Sequence, residues 1–145
     1  MAERTAEVTW QGDLMSGSGT IERVGSEAFG PVGVSWAART EDESGGETSP
    51  EELIAAAHAS CFSMAFAAGL ARAGTPPERL ESSARVTFVP GSGITQVALE
   101  VRGRVPGLVD DDGFRAAAET AKDDCPVSKA LAGVPEITVQ ATLEG

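Results

Sequence analysis

One predicted helix constrains the fold most, because it is apolar on almost every side. Ser49 can cap it, Pro50 suits its first position, and Glu52 stands where a capping box places its acid. The helix is predicted to run to about Ala73, where Gly74 and two prolines end it. The apolar residues that lie nearly all round it are Leu53, Ile54, Ala57, Cys61, Phe62, Met64, Ala65, Phe66, Ala68 and Leu70. Such a helix needs burial on most sides. Since one domain of this size can hardly wrap it, a partner subunit is predicted.

Strand patterns precede this helix. Residues 7–10, 20–24 and 32–38 alternate as strands do, with Gly/Ser-rich turns between them. The third of these is predicted to end at Arg39, before an acidic, glycine-rich loop at residues 41–48. The first third of the chain therefore predicts an antiparallel meander.

The part after the helix mixes strands and helices. Residues 84–89 and 94–105 predict a long hairpin around the Pro-Gly-Ser-Gly turn at residues 90–93. Acids at the next helix start favour a second helix through about Asp123, and a short third helix begins at Cys125. Residues 137–143 close the chain as a strand. This order indicates an α+β fold with mainly antiparallel sheet, and a single domain over residues 1–145.

Charge and hydropathy exclude several partners. The net charge is −11, with 22 acidic and 11 basic residues, so a nucleic acid backbone would be repelled. No stretch approaches the roughly 20 apolar residues that a membrane span needs, and the first residues carry no apolar signal segment. We therefore expect no membrane partner and a cytoplasmic location, where lasting structural disulfides are rare.

The two cysteines stand in different settings. Cys125 precedes Pro126 at a helix start, where unpaired backbone N–H groups favour a thiolate and lower its pKa. Lys129 adds to this effect, whereas Asp123 and Asp124 oppose it. A cysteine used only as a small residue at the helix start is the competing interpretation.

Cys61 lies inside the apolar helix, where a cysteine is most often an inert small hydrophobe. A reactive Cys61 needs a nearby cation, because apolar surroundings raise a thiol pKa. Arg39 is the leading candidate, and Glu51 is free to orient it through a two-pronged contact. Glu51 and Cys61 are about 15 Å apart along one helix. Arg39 must therefore bridge them, or Arg39 and Glu51 face Cys61 of another subunit.

His58, the single histidine, lies three residues before Cys61 and is interpreted as a packing residue. A cysteine hydrolase that pairs Cys61 with His58 stays open as an alternative, although no third orienting group is evident. Cys61, Cys125 and His58 are too sparse a set for a zinc site, and no metal or cofactor is expected.

Three motifs resemble the osmotically inducible protein C family, and together they extend over essentially the whole chain. They are WQGDL at residues 10–14 with SGSGT at 16–20, SPEELIAAAHASCFSMA at 49–65, and CPVSKAL at 125–131. The wider family includes the organic hydroperoxide resistance proteins. Because the arginine candidate directly precedes the helix, the chain is more similar to the first branch.

The resemblance implies a fold of mainly antiparallel sheets around a central helix, in an intertwined homodimer. It implies a thiol-dependent peroxidase for organic hydroperoxides, with Cys61 as nucleophile, Cys125 as resolving cysteine and Glu51 positioning Arg39. Arg23 is the fallback arginine. An external dithiol, lipoyl-type in the family, would reduce the resulting disulfide. If Phe62, Met64 and Phe66 face the site, their apolar walls would favour bulky organic peroxides over hydrogen peroxide. A dimeric redox-sensing or ligand-binding protein without turnover is the alternative.

Overall fold

The computed structural model describes residues 1–145. The chain forms two compact units, Met1–Leu53 and Ile54–Gly145. Each unit has its own three-stranded sheet. The single domain expected over residues 1–145 stays a prediction.

The first unit is an antiparallel meander followed by a short helix. Strands β1 (Ala6–Gln11), β2 (Ser18–Val24) and β3 (Val32–Val34) pair in chain order, as the sequence predicted. The third strand is shorter than predicted, because helix α1 (Trp36–Thr40) begins directly after it. Ser35 causes the change, since its Oγ accepts a hydrogen bond from the Ala38 N–H at 3.1 Å and caps the helix. The prediction of a strand through Ala38 was therefore wrong, and Arg39 lies on α1.

Helix α2 (Pro50–Arg72) has nearly the predicted bounds. At its start, Ser49 Oγ accepts a hydrogen bond from the Glu52 N–H at 3.1 Å. The capping box is half formed, because Glu52 accepts from the Thr48 hydroxyl at 2.8 Å. At its end, Gly74 takes a φ of +90°, which glycine adopts without strain.

The burial of α2 differs from the expectation. Phe62, Phe66 and Leu70 are buried, whereas Met64 is 72% exposed. In its most apolar 18-residue window the mean hydropathy is 1.6 and 22% of the residues are buried. By length and composition alone α2 could cross a membrane, which corrects the statement that no stretch comes close. The core helix of a soluble protein passes the same test, so this is weak evidence of a span.

The second unit is built on a long hairpin. Strands β4 (Arg79–Val89) and β5 (Gly93–Arg104) pair antiparallel, and β6 (Glu136–Leu143) adds to β5 in parallel. The helices α3 (Asp111–Asp124) and α4 (Pro126–Ala130) connect β5 to β6. The core of this unit gathers the buried residues Phe62, Phe66, Leu70, Leu99, Val101, Val105, Phe114, Ala118, Ala121 and Cys125. The α+β class with mainly antiparallel pairing is confirmed.

Candidate functional site

The second unit brings the two cysteines together. Cys125 ends α3 and begins α4, and its N–H donates to the Ala121 carbonyl at 2.9 Å. Cys61 packs against the same core from α2. Both thiols are free, Cys125 is fully buried, and Cys61 is half-buried. Each thiol is among the causes of the other's pKa shift, so the two side chains lie close together. Two sulfurs 64 residues apart in the chain are therefore neighbours in the fold.

A rigid aromatic core supports this pair. Phe66 lies between two other rings, with centroids 5.6 Å from Phe62 and 5.0 Å from Phe114. Phe62 and Phe66 are fully buried, and Met64 lies on the exposed face of α2. Phe62 and Phe66 belong to the core against which Cys61 packs, and a peroxide-binding wall formed by these three residues stays a prediction.

The pKa values of the two thiols are shifted in opposite directions. Burial acts to raise the pKa of Cys125, but the backbone N–H groups of Ser128 and Val127, the Cys61 thiol and the Ser128 hydroxyl together lower it. The Cys125 side chain makes no hydrogen bond that caps α4, so each of these contacts is weaker than a capping hydrogen bond. The lowered pKa predicted for Cys125 agrees with this direction. The N–H groups of the helix start act as predicted, and Lys129 is not among the causes.

For Cys61, burial raises the pKa, and the Cys125 sulfur adds to the rise, while the Val127 N–H opposes it. The sequence predicted that a cation holds Cys61 ionised. In this structure the pKa of Cys61 is raised and that of Cys125 is lowered, so Cys125 is the member of the pair that ionises more readily.

A buried histidine extends the cluster. His58 has no exposed surface, and its Nε2 lies 2.7 Å from Ser128 Oγ, which is also buried. His58 Nδ1 is buried without a hydrogen-bond partner. Burial lowers the pKa of His58, so the ring is neutral at pH 7. The sequence interpretation of His58 as a packing residue missed this polar contact. No local signal indicated the contact, because His58 and Ser128 are 70 residues apart in the chain.

Arg39 and Glu51 form an ion pair within the first unit. Arg39 Nε donates to Glu51 Oε1 at 2.9 Å, and the Arg39 guanidinium lies 5.8 Å from the centre of the Trp36 ring. The Glu51 side chain is 8% exposed and that of Arg39 is 30% exposed. The predicted contact between the two residues is present. It is single-pronged, since no hydrogen bond reaches Glu51 Oε2.

The fallback arginine is engaged elsewhere. Arg23 of β2 makes two hydrogen bonds to Glu7 of β1, at 2.9 and 3.1 Å, on an exposed surface. The Arg23 guanidinium lowers the pKa of Glu7. This contact gives Arg23 a structural role in the meander.

An apolar pocket of about 270 Å³ lies beside Arg39 in the first unit. Its lining includes Val8, Trp10, Leu14, Ile21, Val34 and Leu53. It is a cavity with apolar walls and one cation at its edge. No cluster of three or more metal-ligating side chains occurs in the structure.

Comparisons with known proteins agree with the fold and with the motifs. A family model described as OsmC-like protein matches residues 42–140. Peroxiredoxin OsmC of Escherichia coli K12 is 37% identical over 144 residues, 97% of this chain and 96% of the relative. A solved OsmC-like protein from Mycoplasma pneumoniae has a TM-score of 0.67 at 16% identity, over 97% of this chain and 98% of the other.

A solved organic hydroperoxide resistance protein OsmC from Legionella pneumophila has a TM-score of 0.64 at 21% identity, over 97% of both chains. The solved structures show the fold, and the family model and the E. coli relative extend the likeness to the sequence. The chain therefore belongs to the OsmC-like protein family.

Proposed function

We propose that this protein is a thiol-dependent peroxidase that reduces organic hydroperoxides to alcohols. The observation that carries the proposal is the contact between Cys61 and Cys125, one half-buried and one buried, in a chain with no other cysteine. The similarity to Peroxiredoxin OsmC of E. coli over 97% of the chain supports the same chemistry. We further propose that residues 1–145 act as one domain.

The first step requires Cys61 as a thiolate. Because its pKa is raised, the Cys61 proton must leave, and we assign the neighbouring Cys125 sulfur, whose pKa is lowered, as its acceptor. Arg39, oriented by Glu51, is assigned the role of supplying positive charge to Cys61 during the attack. The Cys61 sulfur attacks the distal peroxide oxygen, the O–O bond breaks, and the alkoxide takes a proton and departs as the alcohol. Cys61 is left as a sulfenic acid.

The second step uses Cys125 as the resolving cysteine. Its sulfur attacks the Cys61 sulfur, an S–S bond forms, and the hydroxyl of the sulfenic acid departs as water. An external dithiol then reduces the disulfide by two exchange steps and becomes oxidised itself. We assign a lipoyl-type dithiol to this role, as in the family that the motifs resemble.

The exposed apolar face of α2 supports a homodimer. Met64, 72% exposed in one chain, belongs to a helix whose apolar residues are only partly covered. Single chains seldom leave such surface in water, and a second copy would bury it. We further propose a cytoplasmic location, which the two free thiols support because a reducing compartment preserves them.

The proposal is tested by consumption of cumene hydroperoxide with lipoamide or dithiothreitol as reductant, compared with hydrogen peroxide. Cys61→Ser should abolish consumption. Cys125→Ser should allow one turnover and leave a sulfenic acid that a dimedone probe traps. Steady-state activity that survives in Cys61→Ser would reject Cys61 as nucleophile.

The role of Arg39 has its own test. Arg39→Ala should slow the reaction at neutral pH, whereas Arg23→Ala serves as the control and should react at the normal rate. Equal rates in the two variants would remove Arg39 from the mechanism. A redox sensor or a binding protein would oxidise once without recycling, so repeated turnover with the dithiol separates those alternatives from the enzyme. A cysteine hydrolase would form an acyl-enzyme and no disulfide, which mass spectrometry detects.

A further inference from the structure

A polar chain runs through the apolar core of the second unit, from α2 to α4. His58 Nε2 and Ser128 Oγ are 2.7 Å apart, and both residues are buried. Ser128 lies one helical turn after Cys125, and the Lys129 N–H donates to the Cys125 carbonyl at 3.1 Å, which holds that turn closed. Burying a histidine is costly unless its polar atoms have a function or a partner.

The direction of the hydrogen bonds follows from counting protons. Ser128 has one hydroxyl proton, and the Ser128 side chain lowers the pKa of Cys125, as donation of that proton to the sulfur would. The Ser128 oxygen must then accept from His58, so the neutral ring carries its proton on Nε2. His58 Nδ1 is left as a buried lone pair without a partner, which agrees with the structure.

We propose that His58 is a positioning residue for the resolving cysteine: its Nε2–H holds the Ser128 hydroxyl on the Cys125 sulfur and stabilises that sulfur as a thiolate. The inference rests on the proposed function and adds to it a role for two residues outside the cysteine, arginine and glutamate set. His58 is not the base that deprotonates Cys125. Burial lowers the pKa of its ring, so the ring would not hold the proton that it accepted at neutral pH.

The contacts between His58, Ser128 and Cys125 act in the second step, in which Cys125 resolves the sulfenic acid. The Cys125 sulfur attacks the Cys61 sulfenic acid as a thiolate, and the proton that Cys125 gives up is the one that the departing hydroxyl receives. The S–S bond forms as the S–O bond breaks, and the departing hydroxide takes up a proton to become water. The peroxide consumed in the first step is the oxidant, so no further electron acceptor is needed.

Other groups near Cys125 do not replace this contact. Asp123, Asp124 and Lys129 are exposed to solvent, where water screens their charge. Between Ile54 and Ala71, α2 carries no charged side chain, and the titratable groups it presents are Cys61 and His58. The core residues of β5 that share the cluster are the apolar Leu99 and Val101.

The test is a titration of Cys125 in a Cys61→Ser background, followed by the ultraviolet absorbance of the thiolate. That background has one thiol, and the chain has no tyrosine whose phenolate would absorb as the pH rises. Added to it, Ser128→Ala and His58→Leu should each lower the thiolate fraction at neutral pH by roughly tenfold, the loss expected for one hydrogen bond to a charged sulfur. His58→Gln, whose amide N–H can take the place of Nε2–H, should restore most of it.

Ser60→Ala is the matched control, because it removes an exposed serine hydroxyl from α2 that bonds only the Ala56 carbonyl. Two results would overturn the inference. Ser128→Ala has the same thiolate fraction of Cys125 as the background, or His58→Gln has no higher thiolate fraction than His58→Leu. If His58→Leu does not fold, Ser128→Ala and His58→Gln decide the question. No peroxide enters this measurement, so a protein without peroxidase activity could still pass it, and an active peroxidase could fail it.

Discussion

Oxidation of Cys61 and Cys125 to a disulfide should stabilise the protein against unfolding by an amount that the chain length sets. The two cysteines are 64 residues apart, so the bond closes a long loop in the unfolded chain. In the chain-entropy model this removes about 4 kcal/mol of unfolded-state entropy at 25 °C. Since the two side chains already touch in the reduced protein, little native rearrangement is required. Allowing for strain, we expect a gain of about 3 kcal/mol in the free energy of unfolding.

The assay is urea denaturation of the reduced and the peroxide-treated protein at equal concentration. With an m value of about 2 kcal/mol per M, a gain of about 3 kcal/mol moves the midpoint up by about 1.5 M. Peroxide-treated Cys125→Ser is the control, because it has no partner for Cys61, and its midpoint should not rise. Addition of dithiothreitol should return the oxidised protein to the reduced midpoint.

Two results would refute the reasoning. An unchanged midpoint, with mass spectrometry showing a Cys61–Cys125 disulfide, would mean that native strain cancels the entropy gain. A disulfide that forms between two copies instead would mean that the intramolecular contact is not the reactive one.

Three further outcomes are expected. Burial lowers the pKa of His58, whereas an unfolded histidine has a pKa of about 6.5. The unfolded chain therefore binds a proton that the folded chain does not bind, so the free energy of unfolding should fall as the pH drops from about 7 to about 5. His58→Gln should lose that part of the slope in urea titrations, and an identical slope would contradict it. Met64→Asp should weaken the proposed dimer by about 100-fold or more in sedimentation, with the exposed Val109→Asp as control, and an unchanged association would reject α2 as interface. Phe66→Ala should cost about 3–5 kcal/mol of unfolding free energy, because the ring is fully buried between two others, and a cost below about 1 kcal/mol in urea unfolding would refute that packing.

Local signals in the sequence were sufficient for most elements. The cap at Ser49, the glycine at position 74 and the Pro-Gly turn after β4 act within a few residues, so the bounds of α2 and the turn of the β4–β5 hairpin could be read directly. The start of β4 at Arg79, before the predicted residue 84, has no such local signal. The error at residues 36–38 has the same local origin. A short run of tryptophan and alanines fits a strand or a helix, and the Ser35 hydroxyl decided for the helix.

The site was predicted unevenly for a physical reason. Cys61, Cys125, Arg39 and Glu51 are conspicuous as residue types in a motif or at a helix start, and the Arg39–Glu51 contact spans only 12 residues. Ser128 and His58 are 70 residues apart, and no local pattern indicates that they are hydrogen-bonded. The sequence also could not predict which thiol has the lower pKa, because that depends on which sulfur the backbone N–H groups of α4 approach.

The sequence by itself determined the bounds of α2 and the place of the β4–β5 turn, that α2 is apolar on nearly all sides, and which two sulfurs are available for chemistry. Those features depend on contacts within one turn of a helix or on composition. Only the tertiary structure decided that Cys125 is the member of the pair with the lowered pKa and that a buried histidine reaches it through a serine. A pKa in a core is set by burial and by donors from distant segments, and folding alone brings those segments together.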